Sequence, residues 1–125
     1  MPARTPEETH ALLEAAFNAG DLDALAQVYE EDAALIVPPE GVLANGRDEI
    51  RNALEATVAL APTAKIVVDR KIQSDGLALT HARWSLVGTD PDGARVELTG
   101  RGSIVSRRQP DGSWRIVPDN PLTPR

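Results

Sequence analysis

Six residues, Asn18-Ala19-Gly20-Asp21-Leu22-Asp23, constrain this chain more than any other stretch. They follow one amphipathic run and precede another, so one helix must end and the next begin with almost no linker. Gly20 suits the left-handed position that closes a helix, and Asp21 is a residue type whose side chain caps the following one. Upstream, Thr5-Pro6-Glu7-Glu8 reads as a helix start: threonine as the cap, proline at the first helical position, glutamate placed to close a capping box. The first helix is expected to run to about Asn18, with Leu13 and Phe17 four apart and His10 one turn earlier on nearly the same face. Leu22, Leu25, Ala26 and Tyr29 form the apolar stripe of the second. Leu35-Ile36-Val37 is a short strand stopped by Pro38-Pro39, and Gly46 precedes a third helix with the stripe Ile50, Ala53, Leu54 and Thr57.

From Lys65 onward the pattern changes to a meander. Strands are expected near Lys65 to Ile72, Leu77 to Gly88, Ala94 to Arg108 and Trp114 to Pro118, and each connection between them carries an Asp-Gly pair that tolerates tight-turn backbone angles. The third of these strands is unusually long. Gly100 and Gly102 inside it read as bend or bulge sites that let the sheet curl, and a curled antiparallel sheet needs something in its concavity. Three helices are available, so the expected architecture is α+β, one domain spanning residues 1–125, with the helices packed on a strongly curved, mainly antiparallel sheet.

Composition excludes several classes of function. With no cysteine among 125 residues, neither a disulfide framework nor a thiolate site can form. A net charge of −6 argues against nucleic acid as a partner, because phosphate neutralisation needs a basic face. No apolar run approaches the roughly 20 residues of a membrane span, and the start of the chain lacks the apolar core of a signal peptide, so no membrane association and a cytoplasmic location are expected. Charge is uneven: residues 1–60 hold 12 acidic and 3 basic side chains, residues 61–125 hold 7 and 10. Solvated helix faces or docking between unlike surfaces of two copies would each account for that.

Five segments in order, Asn18 to Asp23, Tyr29-Glu30-Glu31-Asp32-Ala33, Gly46 to Ile50, Gly100-Arg101-Gly102-Ser103 and Asp111-Gly112-Ser113-Trp114-Arg115-Ile116, carry a resemblance over almost the whole chain. The chain resembles the nuclear-transport-factor-2-like superfamily, in its SnoaL-like and ketosteroid-isomerase-homologue branch. That resemblance implies a cystatin-like cone enclosing one pocket, and a homodimer. It does not carry the steroid-isomerase chemistry across. Such enzymes pair an aspartate base with a tyrosine and a protonated aspartic acid; the tyrosine position, five residues before the Asn-Ala-Gly-Asp segment, is Leu13 here, and the base position is Val37. The remaining acid would fall near Ser103 or Ile104, where there is no carboxyl group. An epoxide-hydrolase-like Asp-Arg-Asp order is absent as well.

The pocket is expected to be lined by Leu13, Phe17, Tyr29, Val37, Leu54, Trp84, Arg101 and Ser103. Arg101 and Ser103, one pleat apart, would offer a guanidinium fork to a ligand carboxylate or enolate, or else pair with charges on a solvated face. Three residues are candidate catalytic groups. Asp119 ends the last strand; strand alternation puts it with Arg115 and Val117, where it would cap the following turn or pair with an arginine. His81 can titrate near neutrality, but alternation places it with Leu77, Leu79 and Val87 on the outer or dimer face. Tyr29 is the one ring able to act as an oxyanion donor. His10 would look into the cone mouth from the first helix or, as first-turn histidines usually are, be solvated, and the sequence supplies no convergent metal ligands and implies no cofactor. The reading that follows is a binding or weakly catalytic domain for a small apolar organic ligand. A dimeric association module with a closed core, and an isomerase or cyclase using Asp119 or His81, stay open beside it.

Overall fold

A computed structural model describes residues 2–122. Helix α1 (Pro6–Ala19) starts as its sequence dictates: the Thr5 hydroxyl accepts the Glu8 N–H at 3.3 Å, and Glu8 reaches back to the Arg4 N–H at 2.6 Å. It ends at Gly20, whose φ of 65° is left-handed, and Asp21 at once caps α2 (Leu22–Gln27) by accepting the Ala24 N–H at 3.0 Å. Asn18 contributes something local pattern does not reveal. Its amide accepts from Ala64 N at 2.6 Å and donates to Ala64 O at 3.1 Å, fastening the end of α1 to the sheet 46 residues away.

Strand β1 (Tyr29–Val37), strand β2 (Val42–Asn45) and helix α3 (Arg47–Val58) precede the meander β3 (Thr63–Ser74), β4 (Leu77–Thr89), β5 (Arg95–Arg108) and β6 (Trp114–Asn120). The six strands form one sheet in the order β2-β1-β6-β5-β4-β3, antiparallel throughout except where β1 runs parallel to β6. The meander and the three helices lie where the sequence predicts them, and the result is an α+β cone. Two expectations are corrected. Tyr29 opens β1 rather than closing the stripe of α2, and β1 is nine residues long instead of the three at 35–37. Its buried positions, Tyr29, Ala33 and Leu35, share one face, but Glu31 on that face is exposed, so the period-two signature is interrupted in the first half of the strand. β2 was not expected at all.

Leu13, Ala16, Leu25, Tyr29, Leu35, Ile50, Leu54, Ile104 and Ile116 share one core between the helices and the sheet's inner face. On β4, Ala78, Thr80 and Ala82 point inward, and on β5 Gly102, Ile104 and Ser106 do the same; Val67, Ile72 and Leu77 stay exposed. Among the described residues no helix is long and apolar enough to cross a membrane.

Gly100 and Gly102 do not mark a bulge against β4: pairing runs unbroken through Trp84 opposite Gly100 and Ala82 opposite Gly102. They clear space instead. A Cβ on Gly100 would meet the Trp84 indole at 2.8 Å and the Pro121 carbonyl oxygen at 3.0 Å, and one on Gly102 would meet the Pro121 Cα at 3.1 Å. The indole lies over this bare backbone and donates from Nε1 to Pro121 O at 2.8 Å. Gly100→Ala should therefore destabilise the fold by about 1–3 kcal/mol through overpacking. Gly76→Ala, with nothing within 4 Å of the new methyl, should stay within about 0.5 kcal/mol of wild type. Urea denaturation of the two variants tests the contrast, and equal effects would refute this account of Gly100.

Candidate functional site

Two breaks in strand register build the site. Tyr29 pairs with Ile116 on the parallel β6, yet the next paired residues are Ala34 with Pro118 and Leu35 with Asp119, so β1 takes five steps where β6 takes two. Against β5, β6 takes three steps, Ile116 to Asp119, where β5 takes two, Ser106 to Ile104. That extra residue is a bulge, and Pro118, which has no N–H to give to a ladder, sits inside it. The bulge changes the phase of the strand. Trp114 and Ile116 point inward, and Asp119, which simple alternation turns outward with Arg115 and Val117, is turned inward as well and is only 8% exposed.

There the Tyr29 hydroxyl donates to Asp119 Oδ2 at 2.7 Å. Arg47, first residue of α3, clamps the same tyrosine from behind, donating to its carbonyl oxygen from Nη2 at 2.6 Å and from Nε at 3.2 Å. Burial pushes the Asp119 carboxyl up to about 6, the Tyr29 bond pulling the other way. Burial, followed by the neighbouring carboxylate, holds the Tyr29 phenol well above its usual 10. At pH 7 the pair is accordingly a protonated phenol beside a mainly ionised carboxylate. Among the described residues Asp119 Oδ1 has no hydrogen-bond partner.

His10 is buried, 4% exposed, and not solvated. Its Nε2 lies 2.6 Å from Thr80 Oγ1, while the Thr80 hydroxyl reaches Ile104 O at 3.3 Å. Both bonds are satisfied together when the imidazole proton is on Nε2. Burial brings its pKa down to about 4 against the opposing charge of Glu7, so the ring is neutral.

A cavity of about 80 Å³ connects these groups. Its lining brings together Leu13, Phe17, Tyr29, Leu54 and Trp84 from the predicted set, with Asp119, His10, Leu35 and Ile104, and among the described residues contains no lysine or arginine. Val37 is absent from it: the chain turns at Pro38, which lines the cavity while Val37 packs on the core. Arg101 and Ser103 are also absent, because they alternate with the inward Gly102 and Ile104 and stand on the outer face, so the guanidinium fork does not face the cavity. His81 is opposite Ser103 on that outer face, with Nδ1 3.0 Å from the serine hydroxyl. Asp119 caps no turn; Asn120 does, accepting from Leu122 N at 3.1 Å. A wider groove of about 540 Å³ beside Ala3, Leu12 and Trp114 includes Asp21 and Asp111, but both carboxylates are spent on backbone caps. Among the described residues no cluster of three or more His, Asp or Glu is placed to hold a metal.

The two buried groups give opposite pH dependences. The folded pKa of Asp119 stands above its ordinary 3.8, so its stabilising contribution is full below that value and is lost as pH rises through about 6. His10 stands below its ordinary 6.5, so its contribution is full above that value and is lost as pH falls through about 4. Each amounts to at most about 3 kcal/mol. Between those limits the wild type should have a nearly level stability curve. Asp119→Asn should lose stability steadily on acidification, and His10→Gln should gain it. Urea midpoints taken in half-unit pH steps check this, and an Asp119→Asn curve parallel to wild type would show that Asp119 does not titrate in this range.

Similarity to known proteins agrees with this geometry at the level of fold. A conserved protein from Planctomyces limnophilus superposes with a TM-score of 0.82 at 20% identity, covering 93% of this chain and 91% of its own. A ketosteroid isomerase-like protein from Erwinia carotovora gives 0.79 at 19% identity, covering 94% of both chains. A nuclear transport factor 2-like superfamily protein from Salmonella enterica gives 0.78 at 21% identity, covering 94% of this chain and 87% of its own. No curated protein sequence matches the chain. The family model for the SnoaL-like domain matches residues 9–117, and the chain belongs to that family.

Proposed function

We propose that this chain binds a small, largely apolar organic molecule in the cavity, with Asp119 as the group that meets the ligand's polar end. Membership of the SnoaL-like family and a fold shared with a ketosteroid isomerase-like protein support a small-molecule-binding or isomerase-like domain, and one observation carries the finer reading. A carboxyl group more than nine-tenths buried faces a mostly apolar cavity with one oxygen unclaimed. Such a group is costly to keep unless it is used. The cavity is well below the several hundred cubic ångströms of drug-sized sites, which favours a single-ring ligand.

Proton transfer is the second reading, and the position of Asp119 near neutrality favours it, since a general base works best when its pKa is close to the working pH. Asp119 would accept a proton from the ligand and return it elsewhere, with Tyr29 holding the carboxylate in place. His81, on the outer face, takes no part.

Screening small enones, epoxides and cyclic alcohols by thermal shift, then comparing variants on any hit, separates these readings. For a binding pocket, Asp119→Asn should change affinity only a few-fold for neutral ligands. Trp84→Ala should weaken binding and cost at least about 2 kcal/mol of stability. For a proton-transfer enzyme the Asn variant should fold and bind but lose roughly 10²-fold or more in turnover. Failure of every compound in the panel to shift the melting temperature would count against a ligand pocket.

We further propose that two copies associate through the outer sheet face. Ile72, Leu79 and Val105 form a cross-strand row there, with exposed Val67 and Leu77 beside it. Light scattering should give twice the chain mass at micromolar concentration, and Leu79→Glu should give the monomer. A wild-type monomer across that range would refute the proposal.

A further inference from the structure

We propose that the cavity's ligand is a small hydrophobic amine, held as its ammonium ion against the Asp119 carboxylate; this rests on the ligand-pocket reading above. The argument begins with charge. Among the described residues Asp119 is the only acidic side chain lining the cavity, and no lysine or arginine lines it. Across the cavity lining, β1 contributes the Tyr29 hydroxyl, α1 the neutral His10, α3 Leu54 and Thr57, β4 Trp84 and Ser85, and β5 Ile104, none of them charged. Its one partner is a neutral phenol. Once ionised, Asp119 is thus a buried anion without a counter-ion among the described residues, an arrangement that a cationic ligand completes and an anionic one worsens.

The walls point the same way. Phe17, Tyr29 and Trp84, three of the chain's four aromatic side chains, all line this small space. Aromatic faces attract ammonium groups as well as apolar rings, most strongly where water is excluded. Cross-strand register sets the length available. Thr80 is opposite Ile104 and Ile104 is opposite Asp119, so the His10–Thr80 pair lies two strands from the carboxylate, roughly 10 Å at ordinary strand spacing. An ammonium group at Asp119 leaves that distance for one ring lying over Ile104. The net charge of −6 favours entry of a cation over an anion.

Benzylamine and benzyl alcohol, matched in shape and differing in charge, test the proposal by isothermal titration calorimetry on the whole chain. At pH 7.5 and moderate salt, benzylamine should bind at least tenfold more tightly than the alcohol. In Asp119→Asn that advantage should vanish while alcohol binding stays within a few-fold. No variant is needed for the second arm: with Asp119 near 6, the wild-type affinity for benzylamine should fall about tenfold between pH 7.5 and 5, and that for the alcohol should not change. Equal affinity for the two compounds, or benzylamine binding indifferent to both pH and Asp119→Asn, overturns the inference. Alcohol binding without amine binding overturns it and leaves the ligand pocket standing. If neither compound nor any member of the neutral panel binds, both readings fall.

Discussion

A hydrogen bond between side chains 90 residues apart, from the Tyr29 hydroxyl to Asp119, is the contact on which the arrangement of this site depends. It spans the one parallel pair in the sheet, at the place where both neighbouring ladders lose register. Parallel partners cannot be joined by a tight turn, so β1 and β6 meet only after the whole meander has been laid down. The irregular stretch of β1 brings the phenol to the level of the carboxylate, and the bulge at Pro118 turns the carboxylate inward to meet it. Removing either irregularity would send one partner to the opposite face of the sheet. Arg47 on the Tyr29 carbonyl shows that α3 is tied into the same junction.

What could be read from sequence was what is local. The caps at Thr5, Gly20 and Asp21, the apolar spacing of α1 and α3 and the Asp-Gly turns each depend on a few adjacent residues, and the structure follows them. β1 could be read only at 35–37, because its first half carries exposed charged residues where the pairing with the distant β6 skips residues. The inward turn of Asp119 was legible in part. A proline inside a strand is tolerated at an edge or a bulge, so Pro118 signalled that alternation counted from Trp114 would fail one residue later. The position of His10 was legible too, from its place on the Leu13–Phe17 face, which outweighs the general tendency of first-turn histidines to be solvated. Arg101 and Ser103 went the other way: the glycines beside them drew attention to their strand, but it is the glycines that face inward, to make room for Trp84 and Pro121.

The charge of the molecule is divided between two halves, and the division bears on the cavity. Most of the acidic side chains precede residue 61 and most of the basic ones follow it. The outer face of the meander carries Arg83, Arg101 and Arg107, with Arg83 held by Asp69 at 3.0 Å and Arg107 by Glu30 at 3.0 Å. These are exposed pairs of small energetic weight. None of their cations reaches the inner face, where a guanidinium beside Asp119 would pull its pKa down. The cavity keeps its titratable carboxyl because the sheet segregates cations to the other side.

The positions that hold the tyrosine and the base in ketosteroid isomerases are Leu13 and Val37 in this chain, yet a phenol and a raised-pKa carboxyl still meet inside the cone, supplied by Tyr29 and Asp119. The resemblance in residue types hides a difference in wiring. In those isomerases the tyrosine and a protonated aspartic acid both donate toward the substrate oxygen. Here the tyrosine's only proton is given to the carboxyl group, so it is not available to a ligand. Of the two carboxyl oxygens, Oδ2 is taken by that bond and Oδ1 is without a partner among the described residues. Above about pH 6 that oxygen is an acceptor only, and below it the carboxyl can donate. An oxygen placed in this way is complementary to a hydrogen-bond donor or a cation, and not to a second acceptor or an anion.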